Sequence, residues 1–406
     1  MTPKKPLDGL TVIDAASLYA GPLSGMILGD FGAEVIKIEH PESGDALREF
    51  GDSTDELSWK WVNRNKKSVP LDLHTDDGQD IFTDLISDAD VLIENFRPGT
   101  LERWNIGWET LSDINEDLVM VRVTGFGQTG PYRNRPGFGT LVEAMSGYAY
   151  STGQETGPPT LPPTAMADSV CAFHSAYAVL MAIYWRDVHG GTGQYIDSAI
   201  LETMFGVLGD QVIEHEWKGV DHKRSGNRSS RTAPRNTYRT KDGRWVAISG
   251  SSPSIAERIL RIVGGEELAT DERFQTMEGR LEHVEELDSI IGAWMSEHTR
   301  AEVIDIFEEY EAAIGPVNNM ADIFDDEHFD DRDAIIYVED DNRDEEIAMR
   351  GVFPKLSATP GSVDHPGPEL GSHALEVITN LTDRTPKEVH RLASRGVTNI
   401  GGEQDG

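Results

Sequence analysis

The first 200 residues alternate between short apolar segments typical of strands and segments typical of helices, and this alternation limits the fold more than any other feature. Strands are predicted at Leu10–Ala15, Ala33–Glu39, Val91–Glu94, Leu118–Thr124 and, with a turn, Gln194–Leu201, and helices at Gly21–Phe31, Asp77–Ile86 and Asp168–Val188. Strands that alternate with helices pair in parallel, because each helix carries the chain back across the sheet. The sequence therefore predicts an α/β fold whose large domain holds an open, parallel, Rossmann-like sheet.

The composition changes after Gly219, and a second, smaller α+β domain is predicted there. His222–Arg239 is polar and rich in Arg and Ser, like a linker. A strand at Trp245–Ser249 follows, with helices around Ile255–Val263, His283–Met295 and Arg300–Tyr310. The acidic stretch Asp322–Glu346 is interpreted as a solvated surface or return linker, and a last helix is predicted near Pro386–Ser394. Residues 1–219 are assigned to the N-terminal part of the large domain, 220–325 to the small domain with its linkers, and 326–406 to the return linker and C-terminal part of the large domain.

Charge limits the partners of the chain rather than its chemistry. Asp and Glu number 71 against 36 Lys and Arg, which gives a net charge of −35. Such a field repels nucleic acids and anionic membranes, so neither is an expected partner. The apolar content of 38% and the regular apolar segments argue against a disordered acidic protein. The charge therefore indicates a halophilic protein, because about 1 M salt shortens the Debye length to roughly 3 Å and screens self-repulsion.

Several features predict a soluble, cytoplasmic protein. Met1–Leu10 is short, polar and basic, and it lacks the apolar core of a signal peptide. No uninterrupted apolar run approaches the roughly 20 residues that span a bilayer. Cys171 is the single cysteine, which excludes a disulfide within the chain and a cysteine metal cluster.

Eight segments, in their order along the chain, carry a resemblance to a known family. They are PLDGLTVIDAASLYAGP (Pro6–Pro22), FGAEVIKIEHPESGDALR (Phe31–Arg48), NRNKKSVPLDL (Asn63–Leu73), ADVLIENFRPGTLER (Ala89–Arg103), TGFGQTGPY (Thr124–Tyr132), GTGQYIDSAI (Gly191–Ile200), DGRWVAI (Asp242–Ile248) and GPELGSH (Gly367–His373). Through these segments the chain resembles the class III CoA-transferases, the family of formyl-CoA and carnitine CoA-transferases. The resemblance covers nearly the full length, and the pattern is most similar to the branch that handles dicarboxylates such as mesaconate.

The resemblance implies a subunit architecture and a set of substrates. The large domain is expected to be built from both ends of the chain, and two chains are expected to form an interlocked homodimer in which each is threaded through the other. The expected substrates are an acyl-CoA, here succinyl-CoA, and a small carboxylic acid. The class needs no metal and no permanently bound cofactor, and the CoA thioester is a substrate.

Asp168 is the predicted nucleophile, because an aspartate at this point of the family pattern attacks the thioester. From the local sequence alone, Asp168 is a plain N-cap of a long helix that stops at Gly190. A carboxylate can accept an acyl group as a mixed anhydride and then carry CoA as a thioester, which divides one hard exchange into easier steps. The helix N-terminus is expected to keep the carboxylate ionised, and the side chain is expected to turn toward the cleft.

Tyr19 and Ala20 follow the first strand in a loop that leads into a helix. The matching loop of the family helps to line the reacting centre, where backbone N–H groups can stabilise negative charge on the thioester oxygen. The alternative is a strand-to-helix turn made of small residues. Formyl-CoA transferase has glutamine at the Tyr19 position, so a role for this side chain is not carried over.

The resemblance also predicts residues that line the CoA cleft, where phosphates require cations and adenine requires a flat apolar surface. They are His40, Leu71, Leu73, Asn95, Phe96, Arg97 and Arg103. A guanidinium suits phosphate because it is planar and always charged, although ordinary surface charges are the alternative for these arginines. At the His40 position formyl-CoA transferase has an arginine near the nucleotide, so this chain departs from the pattern there.

Gly125–Gly130 matches the dinucleotide-binding pattern G-x-G-x-x-G and follows a strand, but the segment does not indicate an NAD site. Pro131 comes next, and Asn134–Gly137 has the composition of a loop. No helix N-terminus is therefore expected where a pyrophosphate would need one. The glycines are predicted to form a tight loop near the CoA thiol.

Gly139 bears on the choice between two reactions that this fold supports. Related racemases of α-methylacyl-CoA need two acid–base groups, and they place a His-Asp pair in the stretch that here reads Pro136–Gly139. Phe138 and Gly139 replace that pair, which disfavours racemisation. Many transferases have an acid at the Gly139 position, and Glu143 is a candidate substitute for it.

The sequence thus predicts a CoA-transferase that exchanges CoA between succinyl-CoA and another small carboxylic acid through covalent aspartyl intermediates. The alternatives are a racemase or epimerase of CoA esters and a non-catalytic CoA-binding subunit. Arg135, Arg228 and Arg235 are candidate cations for the distal carboxylate of a dicarboxylate acceptor. Ser249–Ser252 is a candidate lid over the active site, with a surface turn as the alternative.

Overall fold

The computed structural model describes residues 5–51, 56–340 and 345–402 of the chain. The first four residues of the predicted N-terminal segment and residues 341–344 of the predicted acidic linker therefore lie outside the described residues. The chain divides into two compact units: a large unit of residues 1–148, 162–209 and 330–406, and a small unit of residues 149–161 and 210–329. The assignment of residues 1–219, 220–325 and 326–406 to domains stays a prediction.

The large unit is built on a six-stranded sheet in which every neighbouring pair of strands is parallel. The strands are β1 (Thr11–Asp14), β2 (Glu34–Glu39), β3 (Lys66–Pro70), β4 (Val91–Glu94), β5 (Val119–Thr124) and β6 (Gln194–Ala199), in the spatial order β3-β2-β1-β4-β5-β6. The predicted open, parallel α/β sheet is confirmed. The strand order reverses between β1 and β4, and ligands of open α/β sheets bind at the carboxyl ends of the strands beside such a reversal.

Helices follow most of the strands. In chain order they are α1 (Ala20–Asp30), α2 (Leu57–Val62), α3 (Asp76–Ser87), α4 (Thr100–Arg103), α5 (Trp108–Ile114), α6 (Gly139–Met145), α7 (Tyr148–Ser151), α8 (Met166–His189), α9 (Ile200–Gly206), α10 (Gln211–Lys218), α11 (Pro253–Ala269), α12 (Glu272–Gln275), α13 (Met277–Glu282), α14 (Val284–Ser296), α15 (Arg300–Glu309), α16 (Met320–Phe324), α17 (Glu327–Asp331), α18 (Ala374–Leu381) and α19 (Pro386–Ala393). A 3₁₀ helix spans Ala46–Glu49.

The core of the large unit lies on both faces of the sheet, because successive side chains of a strand point to opposite faces. Ile13 and Leu92 join a core with side chains of α3, α18 and α19. Val12 and Val91 join a second core with side chains of α1 and α8. The inner strands β1, β4 and β5 are largely apolar on both faces, as expected for a parallel sheet covered on both sides.

Helix α8 has two apolar faces. It is 24 residues long and, in the part of the chain that the structure describes, it is the one helix long and apolar enough to cross a bilayer. Its inner face is buried against α1 and the sheet, through Ala167, Cys171, Ala172, Ser175, Ala176, Val179, Ala182 and Ile183. Helix α8 is therefore a core helix. Its exposed apolar residues, named here the outer face of α8, are Phe173, Tyr177, Leu180, Met181, Tyr184, Trp185 and Val188.

The small unit contains a three-stranded antiparallel sheet formed by β7 (Arg235–Arg239), β8 (Trp245–Ser249) and β9 (Ile314–Pro316). Side chains of α11, α14 and α15 pack with it into a separate core. The predicted strand at Trp245–Ser249 is confirmed, whereas the predicted linker His222–Arg239 ends in a strand.

An antiparallel hairpin of the large unit, β10 (Ile335–Asp340) and β11 (Glu345–Arg350), begins in the acidic stretch and extends beyond its end at Glu346, and it was not predicted from the sequence. Tyr337, Glu339, Glu346 and Ala348 are exposed there, whereas Val338, Asp340 and Met349 are buried.

Candidate active site

The loop between β1 and α1 lies where the strand order reverses, and a side chain from across the reversal holds it. Asn95, directly after β4, accepts a hydrogen bond from the Ser17 N–H at 2.9 Å and donates one to the Ser17 carbonyl at 2.7 Å. Leu18 has a φ of 65°, in the left-handed region that residues with a Cβ seldom adopt. Its N–H donates to Asp45 at 3.1 Å. The loop is therefore fixed in an uncommon conformation by side chains from other strand ends.

Two buried lysines and two buried aspartates, named here the buried charge cluster, lie beneath this loop: Asp14, Lys37, Asp45 and Lys66. Lys66 at the start of β3 donates to Asp14 at 2.8 Å, and Lys37 of β2 pairs with Asp45 at 3.0 Å. Asp14 also accepts the Ala16 N–H at 3.1 Å, and Lys37 donates to the Ala16 carbonyl. The cluster therefore bonds the loop backbone directly, in addition to pairing its own charges.

Asp168 lies in the first turn of α8, which begins at Met166 after the N-cap residue Ala165. The prediction that Asp168 is the N-cap is therefore wrong, because the helix starts earlier than its first polar residue. No side chain at Ala165 caps the helix, and Asp168 is not used for this purpose. The side chain was expected to turn toward the cleft, and Asp168 lines a cavity.

Helix α6 meets the first turn of α8 through Gly139 and Glu143, which are four residues apart on one helix face. Glu143 is 2% exposed, and its Oε1 accepts the N–H of Ala167 at 3.2 Å. It thereby supplies the capping acceptor that Ala165 lacks. Gly139 leaves space for the Asp168 carboxylate, since a Cβ there would lie 2.3 Å from Oδ2 of Asp168. Neither contact was predicted from the sequence, although the spacing of four residues between Gly139 and Glu143 could have placed them on one helix face.

The surroundings raise the pKa of Asp168 to about 6. Burial is the main cause, because it penalises the charged form, and the negative charge of Glu143 acts in the same direction. The expected stabilisation of the carboxylate by the helix N-terminus is outweighed. At pH 7 about nine carboxylates in ten are still ionised, because the pH lies about one unit above the pKa. Asp168 is therefore a desolvated, unusually basic carboxylate that is available for attack.

The cavity that contains Asp168 has a volume of about 230 Å³ and lies beyond the carboxyl ends of β1, β4 and β5. It brings Asp168 together with Tyr19 and Ala20, the other two residues predicted to be catalytic. Tyr19 is the N-cap of α1 and Ala20 its first residue, and the first N–H groups of a helix have no partner within it. Three predicted CoA-cleft residues also line this cavity: Asn95, Phe96 and Arg97.

A second cavity, of about 380 Å³, contains three further residues of the predicted CoA cleft: His40, Leu71 and Leu73. Ser17 and Phe96 line both cavities. The Nδ1 atom of His40 accepts N–H groups of its own turn, from residues 42 and 43, at 3.3 and 3.4 Å. The structure therefore places six of the seven predicted cleft residues along two cavities that share a border.

Aromatic rings that the sequence analysis did not single out also line the second cavity. Trp104 stands edge-on to Phe96 with ring centroids 5.3 Å apart, and edge-on to His74 at 4.7 Å. Flat apolar surface of this kind is what an adenine ring requires. Its position could have indicated it, because Trp104 is the first residue after Ala89–Arg103, a segment that carries the family resemblance.

Several predicted residues lie elsewhere. Arg103 lines neither cavity, and its Nη2 donates to Thr100 at 2.8 Å. Arg228 belongs to the small unit and pairs with Asp288 at 2.7 Å. Arg235 lines a cavity within the small unit. At the candidate lid, Ser252 is the N-cap of α11, which gives this segment a structural role.

The glycine-rich segment after β5 packs tightly and is not followed at once by a helix. A Cβ on Gly125 would lie 2.7 Å from the Cα of Gly137, so the two backbones are in contact. Helix α6 begins only at Gly139, which confirms that no helix N-terminus follows the G-x-G-x-x-G pattern directly. Within the described ranges, no group of three or more His, Cys, Asp or Glu side chains is arranged to hold a metal ion.

Comparison with known proteins gives consistent matches along the chain. Residues 7–374 match the model of CoA-transferase family III. A succinyl-CoA–D-citramalate CoA-transferase of Chloroflexus aurantiacus is 41% identical over 97% of this chain and 98% of that protein. The β subunit of a succinyl-CoA–L-malate CoA-transferase from the same organism is 41% identical over the same shares. The crystal structure of a CAIB/BAIF family protein from Brucella suis has a TM-score of 0.84 at 31% identity and covers 93% of this chain and 100% of that one.

One relative bears on the branch that the sequence analysis favoured. A succinyl-CoA:mesaconate CoA-transferase of Haloarcula hispanica is 33% identical over 92% of this chain and 95% of that protein. The identity to the citramalate and malate relatives, at 41%, is higher. All three acids are dicarboxylic, so the similarity extends across dicarboxylate enzymes and does not favour mesaconate among them.

Proposed function

Because this chain belongs to CoA-transferase family III, we propose that it exchanges CoA between succinyl-CoA and a small dicarboxylic acid, with Asp168 as the attacking carboxylate. The observation that carries the proposal is the desolvated Asp168 carboxylate, for which Gly139 leaves space in a cavity at the carboxyl ends of the strands. Relatives named for citramalate, malate and mesaconate support a dicarboxylic acceptor. The CoA thioester is thus a substrate and not a resident cofactor.

The exchange of CoA between two carboxylates consumes and releases no proton and no electron. A carboxylate oxygen of Asp168 attacks the thioester carbonyl carbon, the C–S bond breaks, and CoA leaves as the thiolate, which gives a mixed anhydride. The thiolate then attacks the side-chain carbonyl carbon of Asp168, and the acyl group leaves as succinate. The acceptor carboxylate reverses both steps on the resulting aspartyl thioester and departs as the new CoA ester.

The loop after β1 supplies stabilisation for the charge that develops on the carbonyl oxygen. N–H groups of Tyr19 and Ala20 open α1 beside Asp168 and are fixed before the substrate arrives. Fixed donors cost no reorganisation during the reaction. In this proposal the pantetheine arm passes the shared border at Phe96, and the nucleotide lies in the second cavity against Leu71 and Leu73.

The lining of the Asp168 cavity disfavours racemisation of CoA esters. A racemase needs two acid–base groups on opposite sides of the substrate carbon. Among the described residues that line this cavity, Asp168 is the only carboxylate, and none is a histidine. The positions at which the related racemases place such a pair are occupied by Phe138 and Gly139.

The outer face of α8 supports the proposal of an interlocked homodimer. Its members include Met181, Tyr184 and Val188, each more than half exposed at 64%, 58% and 59%. A contiguous apolar stripe of this kind on a folded chain marks a contact surface. A second copy is the occupant we propose, and a homologous partner chain is the alternative that relatives named as α and β subunits raise. Mass measurement of the purified single gene product as a dimer would support the homodimer, and a monomer would contradict it.

The net charge of −35 supports a salt-rich cytoplasm as the working environment. Self-repulsion of this size is screened when the Debye length falls to a few ångströms. Thermal unfolding should therefore shift to higher temperature as KCl rises from 0.2 to 2 M. An unchanged midpoint would contradict the halophilic proposal without affecting the proposed reaction.

The test of the reaction is the intact mass of the protein in high salt after mixing with succinyl-CoA. Hydroxylamine or borohydride traps acyl and thioester adducts on Asp168, and Asp168→Ala is treated in parallel. We expect a mass change on the wild-type chain that maps to Asp168 and is absent from the variant. If neither protein is modified by succinyl-CoA or by other acyl-CoA donors, the covalent route is wrong.

A further inference from the structure

Thirteen of the 24 arginines in the described part of the chain form ion pairs with carboxylates, in a sequence with 71 acidic and 36 basic residues. Those that form ion pairs with Asp or Glu are Arg48, Arg64, Arg122, Arg186, Arg228, Arg231, Arg244, Arg258, Arg261, Arg273, Arg300, Arg384 and Arg395. In an arginine that lacks such a partner, the guanidinium charge stays available to an anionic ligand.

Three such arginines converge on the cavity of Asp168: Arg97, Arg133 and Arg135. In the described part of the chain, no carboxylate forms an ion pair with any of their guanidinium groups. Asp168 is the one carboxylate among the described lining residues, so the cavity carries a local excess of positive charge. A protein with a net charge of −35 thus keeps unpaired cations beside its nucleophile, and an anionic substrate is the group that would neutralise them.

The three arginines differ in their surroundings. Arg97 belongs to the segment that resembles the CoA cleft of the family, where phosphate is its expected partner. Arg133 also lines a neighbouring groove that contains Glu102 and Glu109. Arg135 lines only the Asp168 cavity among the cavities described, and its guanidinium lies 3.7 Å from the centroid of the Tyr132 ring.

Stacking on Tyr132 restricts Arg135 without using its hydrogen-bond donors. The ring faces the flat side of the guanidinium, so the N–H groups along its edge stay available. Tyr132 itself stands edge-on to Phe126, which also lines the cavity, with ring centroids 5.8 Å apart. The guanidinium edge can therefore bind a carboxylate through two parallel hydrogen bonds.

We propose that Arg135 binds the remote carboxylate of the acyl group, the one that does not react, and so makes the enzyme select dicarboxylic acids. The inference rests on the proposed function. The carbonyl that reacts lies at Asp168 in both half-reactions, so the rest of the donor and the rest of the acceptor occupy the same space in turn. One arginine therefore serves succinyl-CoA and the acceptor acid alike.

The test compares substrates that differ only in the remote carboxylate. Butyryl-CoA has the four-carbon chain of succinyl-CoA without its second carboxylate, and 2-hydroxybutyrate stands in the same relation to malate. For Arg135→Gln in the full-length protein, we expect kcat/KM for succinyl-CoA and for malate to fall by roughly 100-fold. The rates with butyryl-CoA and 2-hydroxybutyrate should stay within about threefold of the wild-type values, since they make no use of this arginine.

Two further variants keep the assignment falsifiable. Arg261→Gln, on an exposed and paired arginine of the small unit, is the matched control and should change no rate. Arg133→Gln tests whether Arg133, and not Arg135, binds the remote carboxylate. The assignment to Arg135 would be overturned if Arg133→Gln, and not Arg135→Gln, lowered kcat/KM for the dicarboxylic substrates alone. It would also be overturned if Arg135→Gln lowered kcat/KM equally for the dicarboxylic and the monocarboxylic substrates.

Failure of the proposed function and failure of the role of Arg135 give different results. If the wild-type protein gives no covalent adduct with any acyl-CoA, the proposed function fails. If the wild type reacts but shows no preference for succinyl-CoA over butyryl-CoA, only the role of Arg135 fails.

Discussion

Asp45 and Asp168 are two carboxylates of the large unit whose surroundings are opposite. In the buried charge cluster, burial opposes ionisation of Asp45, but Lys37 and backbone N–H groups outweigh it, and the pKa of Asp45 is lowered. At Asp168, burial and Glu143 act together and raise the pKa to about 6. The same residue type therefore holds a loop in one place and, in the proposed reaction, is the attacking group in the other. What separates the two roles is whether a cation lies in direct contact with the carboxylate.

Asp168→Asn should have the largest effect, because it removes the reactive member of this comparison. The rate of CoA transfer is expected to fall by roughly 10⁴-fold or more, as for other covalent nucleophiles. Steady-state assays with succinyl-CoA measure the loss. A variant that retains more than about a tenth of the activity would show that Asp168 is not the nucleophile.

The same variant should be more stable than the wild type at alkaline pH. The folded pKa of about 6 lies above the ordinary value of 3.8, so the folded state holds the proton more tightly than the unfolded state. Stability is therefore lost as the pH rises from about 4 through 6, at a cost of about 1–3 kcal/mol once the group is ionised. Asparagine avoids this cost. Unfolding at fixed salt should show the gain at pH 8 and a smaller gain at pH 5; an equal gain at both would contradict the raised pKa.

Lys66→Met tests the other side of the comparison, the buried charge cluster, in which cations contact the carboxylates. It leaves Asp14 buried without its nearest cation, and the free energy of unfolding should fall by about 3–5 kcal/mol. Lys67→Met, one residue further along β3, is the matched control. Lys67 is partly exposed and pairs with Glu34 at 2.8 Å, so its loss should cost less than about 1 kcal/mol. Equal effects of the two substitutions would mean that burial of the cluster does not matter.

The parts of the fold predicted from the sequence are those whose signal is local. The strands Val91–Glu94 and Trp245–Ser249 were predicted to the residue, because short apolar runs define them. Strand β3 was missed, since Lys66 and Lys67 at its start are typical of a surface. Only the buried Asp14 beside Lys66 makes a lysine suitable for this buried position of the edge strand β3, and no pattern within the strand reveals it.

The candidate site divides in the same way. Asp168, Tyr19 and Ala20 came from the family pattern, and the structure brings them to one cavity. The contacts of Gly139 and Glu143 with the first turn of α8 depend on how two helices pack, which hydrophobic periodicity does not specify. Stacking of Arg135 on Tyr132 is likewise a property of a folded loop.

Gly139→Ala should have an intermediate effect, because the added Cβ would lie 2.3 Å from Oδ2 of Asp168. The carboxylate must move, and we expect kcat to fall by about 100-fold, since misplacement of a reacting group by about 1 Å has this effect. KM for succinyl-CoA should change by less than about threefold. Gly206→Ala in α9 is the control, because a Cβ there meets nothing within 4 Å. Unchanged kcat in Gly139→Ala would mean that the carboxylate does not need this space.

Glu143→Gln should have the smallest effect and the most specific one. Glutamine keeps an oxygen that can accept the Ala167 N–H but removes the negative charge that raises the pKa of Asp168. The acid limb of the kcat/KM profile, expected near pH 6 in the wild type, should move to lower pH by less than about one unit. Glu202→Gln, on an exposed residue of α9, should leave the limb in place. If the acid limb does not move in Glu143→Gln, the charge of Glu143 does not influence the pKa of Asp168.

Helix α8 has a consequence for how the activity is distributed over time. It carries Asp168 in its first turn and the outer face along most of its remaining length. In the proposed dimer, the helix that carries the proposed nucleophile is thus also the helix that contacts the second chain. If the proposed dimer is needed to hold this helix in place, the activity per subunit will depend on subunit concentration. Gene dosage would then act on the amount of active transferase more steeply than in proportion, and dilution of the subunits would lower the activity of each one.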